Sequence, residues 1–156
     1  MERPDSQLAI TDVLPHSGRA VLLDAVLEHG PRHTICSADA IRAADFALAD
    51  GTIPAWVGLE FLAQGVAAHA GLQARERGEV PSLGLFLGSR SVRLHADALT
   101  PGRALLVHVE HRLGLRGPSS FACWLRDAAT DAILVEGHLT ALAVKDASLL
   151  GDGGPA

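Results

Sequence analysis

Residues 53–78 restrict the fold of this chain more than any other segment. Pro54 suits the first turn of a helix because its ring presets the backbone angle there, and Gly78 is a typical residue just past a helix end. Between these two residues, apolar side chains occupy every face of the predicted helix. A helix that is apolar all round is buried all round. The segment therefore predicts one central helix over residues 55–77 that other elements must surround.

Only Glu60, Gln64 and His69 are polar within residues 55–72. A buried unpaired carboxylate is costly, so Glu60 either keeps its head in water near the helix start, where the helix dipole favours an acid, or lines a cleft. Gln64 follows one turn later on the same face. His69 faces away from the acid and is predicted to be a structural histidine. The three polar residues also argue against a transmembrane helix, because an acid in the bilayer centre is costly.

Length and composition favour one domain over residues 1–144, with a disordered tail over residues 145–156. A net charge of −5 without a basic run argues against nucleic acid as a partner. Cys36 and Cys123 lack metal-binding spacing, so they are predicted to be reduced core thiols of a cytoplasmic protein. No export signal opens the sequence, and we predict no metal site.

Apolar or alternating segments on both sides of the helix predict six strands. They cover residues 20–28 and 33–40 before the helix, and residues 82–95, 103–113, 119–126 and 132–144 after it. The first two strands flank a Gly-Pro turn and are predicted to form a hairpin. One apolar helix needs a sheet that wraps it. The predicted fold class is therefore α+β, with one long central helix in a curved antiparallel sheet of about six strands. Such a sheet leaves its edge strands and the far side of the helix exposed, which predicts pairing with a second subunit.

Two motifs carry a family resemblance: L-P-H-S-G-R-A-V-L-L-D-A-V over residues 14–26, and P-A-W-V-G-L-E-F-L-A-Q over residues 54–64. Together they resemble the hot-dog-fold 3-hydroxyacyl-acyl-carrier-protein dehydratases, and above all the divergent branch of aryl-polyene-type clusters. The resemblance implies a hot-dog fold and a lyase of fatty-acid or polyene biosynthesis. Its substrate would be a 3-hydroxyacyl thioester on the phosphopantetheine of an acyl carrier protein or coenzyme A, without a further cofactor. It also implies a homodimer, or a heterodimer with a second hot-dog subunit.

The resemblance assigns the catalytic acid to Glu60. The residues that it places around the substrate are Pro54, Ala55, Trp56, Val57 and Gln64. Backbone N–H groups at the helix start would polarise the thioester carbonyl, although Ala55 stands where the family has glycine. Glu60 is expected at the bottom of an apolar tunnel, with Gln64 orienting its carboxyl group.

The family histidine, fourteen positions before the acid, is replaced by Phe46. His16, in the first motif, is the candidate catalytic substitute, and its alternative is a structural histidine that bonds a turn. Three functions therefore stay open. The chain is a 3-hydroxyacyl thioester dehydratase, a non-catalytic hot-dog subunit beside a complete dehydratase, or a hot-dog acyl thioesterase.

Overall fold

The computed structural model describes residues 9–80, 83–114 and 117–144. The tail predicted over residues 145–156 lies outside the described residues. One α-helix, α1 (Gly58–Glu76), follows directly on a 3-10 turn at Ala55–Val57. The strands, in chain order, are β1 (Leu23–His29), β2 (His33–Asp39), β3 (Ile53–Pro54), β4 (Leu83–Leu94), β5 (Ala98–Leu99), β6 (Ala104–Leu113), β7 (Ser119–Asp127) and β8 (Ile133–Val144).

All six strands predicted from the sequence lie in one antiparallel sheet, in the order β1-β2-β6-β7-β8-β4. The predicted hairpin of β1 and β2 is confirmed, and Cys36 on β2 pairs with Val26 on β1. The first strand starts later than predicted, at Leu23, because Gly18–Ala20 forms a 3-10 turn. The edge strands are β1 and β4, and within the described residues no strand pairs with the outer edge of β4.

The helix packs across one face of this sheet through its small residues. A Cβ atom at Gly65 would lie 2.6 Å from Cγ1 of Val107, so the helix backbone touches the side chains of β6. At Gly71 a Cβ atom would collide with the backbone carbonyl of Val13. Glycine therefore allows the close approach that its low helix propensity would otherwise disfavour.

One stripe of the helix stays open in the single chain. Trp56 is 56% exposed, and Glu60 and Ala70 are exposed too. Ala63 and Ala67, which lie between them on the same face, are half-buried. The single chain therefore leaves the far side of the helix exposed, as expected, because a sheet on one side covers only part of a helix, and burial on every side requires a second subunit.

Two short elements at the helix start were not predicted. The segment expected to be irregular, residues 41–52, includes most of a 3-10 helix at Ala40–Phe46. Strand β3, directly before the helix, pairs with β5 in a two-stranded ribbon that aligns Ile53 with Leu99. Within the described residues, no helix has the length and apolarity needed to cross a membrane.

Candidate active site

Glu60 lies in the first turn of α1, on the open stripe of the helix. Its carboxyl group is exposed to solvent, so the single chain does not enclose it in the tunnel that we expected. The tunnel stays a prediction that requires a second subunit. An acid in the first turn interacts favourably with the positive end of the helix dipole.

Gln64 connects this acid to the loop before β1. It is 1% exposed. Its Nε2 donates to the Ala20 carbonyl at 2.6 Å and to Oε1 of Glu60 at 3.3 Å, while its Oε1 accepts the N–H of Leu22 at 2.8 Å. These contacts use both amide hydrogens and the carbonyl oxygen. Gln64 therefore orients Glu60 as expected, but it has no amide hydrogen left for a substrate, so its predicted role in substrate binding stays a prediction.

The backbone N–H groups at the helix start differ in availability. The N–H of Ala55 donates to the Asp97 carbonyl at 3.1 Å, which extends the ribbon of β3 and β5. The N–H groups of Trp56 and Val57 lie at the start of the helical segment, where backbone N–H groups lack a partner within the helix, and neither donates to a carbonyl of the neighbouring strands or loops among the described residues. Of the predicted amides, that of Ala55 is therefore occupied, and those of Trp56 and Val57 stay candidates for contact with a ligand.

His16 is half-buried in the loop between two 3-10 turns, Ile10–Asp12 and Gly18–Ala20. Its Nδ1 atom is buried and finds no hydrogen-bond partner among the described residues. A buried polar atom without a partner is costly and calls for an explanation. No hydrogen bond joins His16 to Glu60 within the described part of the chain, so the catalytic role of His16 stays a prediction.

Phe46 occupies the position of the family histidine and packs against an aromatic neighbour at the helix start. Its ring meets that of Trp56 edge to face, with centroids 6.5 Å apart and planes at 81°. Both rings are about half exposed. An ion pair joins the segment that carries Phe46 to β1: Nη2 of Arg42 lies 2.9 Å from Oδ1 of Asp24. Position 46 therefore offers an aromatic surface beside the candidate site and no titratable group.

His69 lies far from the acid, as predicted. It belongs to a cluster with Thr34 and His29 that local sequence patterns do not indicate. Its Nδ1 lies 2.9 Å from Oγ1 of Thr34, which also contacts Nδ1 of His29 at 2.8 Å. The hydroxyl group links the two rings because it both donates and accepts. Burial, reinforced by His29 and His111, lowers the pKa of His69 to about 4. The ring is therefore neutral near pH 7 and serves the core.

The remaining candidate groups give no sign of a reactive centre. Burial raises the pKa of the Cys36 thiol to about 12 and also raises the pKa of Cys123, so both thiols are protonated near neutral pH. Over the described ranges, no three histidine, cysteine or acidic side chains are arranged to hold a metal ion.

Comparisons with solved structures place this geometry among the hot-dog proteins. The chain is 29% identical to a chain of the dehydratase heterocomplex ApeI:P from Xenorhabdus doucetiae, over 92% of this chain and 95% of the other, with a TM-score of 0.83. The more distant matches include thioesterases, which show the fold alone. A hypothetical thioesterase with coenzyme A from Streptococcus pneumoniae has 10% identity, coverage of 76% and 84%, and a TM-score of 0.58. Zebrafish thioesterase superfamily member 2 has 15% identity, coverage of 86% and 91%, and a TM-score of 0.61.

No curated protein sequence matches the chain. The profile of the ApeP-like family, described as ApeP dehydratase, matches residues 8–150 and so spans both motifs, the helix and all the strands described here. The predicted resemblance and the hot-dog fold are therefore confirmed, and this dehydratase-like hot-dog protein belongs to the ApeP-like dehydratase family.

Proposed function

We propose that this chain removes water from 3-hydroxyacyl thioesters as one subunit of a two-subunit hot-dog assembly, with Glu60 as the catalytic acid. The observation that carries the proposal is the pairing of Glu60 with Gln64. The buried amide of Gln64 donates to the Ala20 carbonyl and to the Glu60 carboxyl group, and it accepts the N–H of Leu22. These bonds hold the carboxyl group at a defined place on the open face of the helix. Effective general acid and base catalysis requires such positioning.

The reaction needs a proton taken from C2, a bond broken between C3 and its hydroxyl group, and a proton delivered to that hydroxyl as it leaves as water. The electron pair of the C2–H bond becomes the new double bond, and the thioester oxygen gains negative charge during the transfer. The N–H groups of Trp56 and Val57 at the helix start would stabilise that charge, as oxyanion-hole donors do. Glu60 protonates the leaving hydroxyl in this scheme.

The group that takes the proton from C2 is not yet assigned, because Phe46 replaces the family histidine. His16 is the candidate within this chain, since its buried Nδ1 has no partner among the described residues. A histidine of the second subunit is the other source. Exchanging His16 for Asn, which keeps a polar group of similar size, separates the two. A loss of 10²–10⁴-fold in turnover assigns the base to His16, the range expected for a general base, while less than a tenfold loss assigns it to the partner.

The second subunit would close the site. The exposed stripe of α1 and the outer edge of β4 are surfaces that hot-dog pairing would cover, and the relative from Xenorhabdus doucetiae is a heterocomplex. We propose a dimer with a second hot-dog subunit, either a second copy or a different chain, acting in the cytoplasm. The substrate would arrive on the phosphopantetheine of an acyl carrier protein or coenzyme A, with no other cofactor. Sedimentation that gives only a 16.3 kDa species, both alone and with a co-expressed second dehydratase, contradicts this assembly.

A non-catalytic subunit is the second candidate, and Phe46 is the observation that favours it. In that case the chain would shape or stabilise a partner that has both catalytic groups. The thioesterase candidate has only the distant matches behind it, and those show the fold alone.

The exchange of Glu60 for Gln tests the proposal, because it removes the proton and keeps the shape. The control is the exchange of Glu79 for Gln, an exposed acid beyond the far end of the helix. Both variants are assayed with 3-hydroxyacyl and acyl thioesters on both carriers, alone and with a second dehydratase. We expect a 10²–10⁴-fold loss at position 60 only. A loss below about tenfold contradicts the catalytic role, and partner activity that needs this chain but ignores the exchange establishes the non-catalytic subunit.

A further inference from the structure

A polar cavity of about 360 Å³ opens at the end of the sheet where the chain turns from β1 into β2. Its lining side chains come from that turn, from the start of β2 and from the end of β6, and they are Arg32, His33, Glu110, His111 and Arg112. Cavities of this size commonly bind small molecules, but most of those are lined by apolar side chains. A cavity lined by five polar side chains therefore fits a hydrophilic ligand.

Backbone hydrogen bonds hold the walls of this cavity together. The N–H of Gly30 donates to the carbonyl of His33 at 2.9 Å, which closes the turn between β1 and β2. The N–H of His111 donates to the carbonyl of Arg32 at 2.7 Å, which joins the turn to β6. Late in α1, Nε2 of Gln73 donates to the carbonyl of Gly30 at 3.4 Å. The sheet and the helix therefore both fix the turn that carries Arg32.

The two histidine rings of the lining have defined positions. Gly30 leaves space for the ring of His33, because a Cβ atom at position 30 would lie 2.6 Å from Cε1 and 2.8 Å from Nδ1 of that ring. The other nitrogen of the ring, Nε2, lies 2.7 Å from Oε1 of Glu28. The ring of His111 packs on Phe121, with centroids 5.2 Å apart. Nδ1 of His33 and the ring of His111 therefore stay at the cavity wall.

The charges of the lining sum to a positive value. Arg32 is exposed and forms no ion pair within the described residues. Nη2 of Arg112 lies 2.9 Å from Oε2 of Glu110, so the acid of the lining is already neutralised. Two guanidinium groups and one carboxylate leave an excess of one positive charge, in a chain whose net charge is −5. The cavity therefore favours an anion.

The donor groups favour a phosphate group over other anions and over a metal ion. Guanidinium groups only donate hydrogen bonds, and each imidazole ring can donate at least one. Arginine binds carboxylate and phosphate oxygens in pairs, but two arginines and two histidines exceed what the two oxygens of a carboxylate can use. Two guanidinium groups repel a metal cation, and no three histidine, cysteine or acidic side chains are grouped to hold one in the part of the chain that the structure describes.

The cavity is remote from the candidate active site. Gln73, which contacts the turn of the cavity, lies thirteen positions after Glu60 on α1. At the rise of an α-helix this is a distance of about 20 Å along the helix axis. A ligand in the cavity is therefore a different molecule, or a different part of one, from the acyl group at Glu60.

We propose that this cavity binds a small phosphorylated ligand, with its phosphate group between Arg32 and Arg112 and with the rings of His33 and His111 as further donors. The proposal goes beyond the proposed dehydration and does not depend on it, because a non-catalytic subunit would have the same cavity. Free phosphate and a phosphate monoester present the same group to these side chains. The organic part of a monoester would fill more of the cavity.

The test is a calorimetric titration of the full chain, purified with any second subunit that accompanies it, in a buffer without phosphate. The probes are inorganic phosphate, glycerol 3-phosphate and, as the anion control, acetate at equal ionic strength. Arg32→Gln removes the unpaired charge, and Gly30→Ala displaces the ring of His33 while every charge is kept. The matched control is Arg90→Gln, an exposed arginine on β4 that forms no ion pair among the described residues.

We expect both phosphate probes to saturate a site that acetate does not fill. Arg32→Gln should weaken this binding by about five- to thirtyfold, since hydrogen bonds to charged groups are strong but Arg32 is exposed. Gly30→Ala should weaken it by at least about threefold, because hydrogen bonds weaken steeply when a donor is misplaced. Arg90→Gln should match the parent chain. Tighter binding of glycerol 3-phosphate identifies a monoester as the ligand, and equal binding identifies the free phosphate group; both results support the site.

Three results would overturn the proposal. The first is the absence of saturation up to about 10 mM of either phosphate probe, well above a millimolar dissociation constant. The second is equal binding of acetate, because the cavity would then attract any anion. The third is unchanged affinity in Arg32→Gln, or an equal loss in Arg90→Gln, because the binding would then lie elsewhere on the chain. Urea unfolding of each variant confirms that a loss of binding is not a loss of folding.

Discussion

Exchanging Gln64 for Glu should damage stability and activity together, because among the described residues the glutamine amide links Glu60, the proposed acid, to the loop before β1. The substituted carboxylate keeps an oxygen for the N–H of Leu22. It also places a second oxygen where Nε2 now donates to the Ala20 carbonyl at 2.6 Å and to Glu60 at 3.3 Å. Two hydrogen bonds are lost, and two carboxylates become neighbours.

The size of the effect follows from the burial of the site. A buried polar group that loses its partner costs about 1–3 kcal/mol. The Ala20 carbonyl loses its donor and faces a negative charge, and Glu60 loses a contact at the exposed edge. We therefore expect the free energy of unfolding to fall by about 2–4 kcal/mol. Misplacement of the acid should lower turnover by up to about 10²-fold.

The helix provides a matched control in Gln73, whose Nε2 also donates to two backbone carbonyls, those of Gly30 at 3.4 Å and Pro31 at 3.1 Å. This glutamine is half-buried and its bonds are longer, so its exchange for Glu should cost less than about 1 kcal/mol. Urea unfolding followed by circular dichroism at pH 7.5 measures both variants. Equal losses at the two positions, or a loss below about 1 kcal/mol at position 64, would refute the structural reasoning.

Three further predictions concern the core and the second catalytic group. Gly71→Ala should lower the free energy of unfolding by about 1–2 kcal/mol in urea, because the collision with Val13 outweighs the gain in helix propensity; unchanged stability would contradict the packing. The pKa of His69 is about 4 in the folded chain and 6.5 ordinarily. The unfolded chain therefore binds more protons below about pH 6.5, and the free energy of unfolding decreases as the pH is lowered. That accounts for about 2 kcal/mol between pH 8 and pH 5, which His69→Gln should remove from the pH dependence of urea unfolding. His16→Asn should lower turnover by 10²–10⁴-fold if this chain supplies the base, without changing dimer formation.

Much of the fold was predictable because the helix and the long strands have a clear hydrophobic pattern. Residues 55–77 were predicted as one helix, and the structure has a 3-10 turn followed by α1 over almost the same range. The two-residue strands β3 and β5 were not predicted, since two residues are too few for any periodicity. The bulge in β4 between Arg90 and Arg93, where Ser91 has a φ angle of 51°, was not predicted for a related reason. The pairing with β8 determines it, and serine has no preference for that conformation.

The candidate site was predictable only in part. The spacing of Glu60 and Gln64 indicated a contact along one helix face, and the hydrogen bond between them is present. The contacts of Gln64 with Ala20 and Leu22 span more than forty positions and leave no local signal in the sequence. The same holds for Ala55, whose N–H is occupied by Asp97. Glu60 is exposed in the single chain because the sequence pattern of α1 reflects every surface that the helix contacts, including surfaces that the single chain does not supply.

The exposed face of α1 connects the fold to the proposed function. The pattern predicts burial for Trp56, Glu60 and Ala70, yet these residues are exposed in the single chain. Phe46 adds a second exposed aromatic ring at the same place, and exposed apolar patches commonly mark interaction sites. A subunit placed over this patch would bury the acid and would also lie where a proton acceptor is needed beside Phe46. Burial of the acid and supply of the base would then depend on the same contact, so we expect assembly and dehydration to be lost together when that contact is broken.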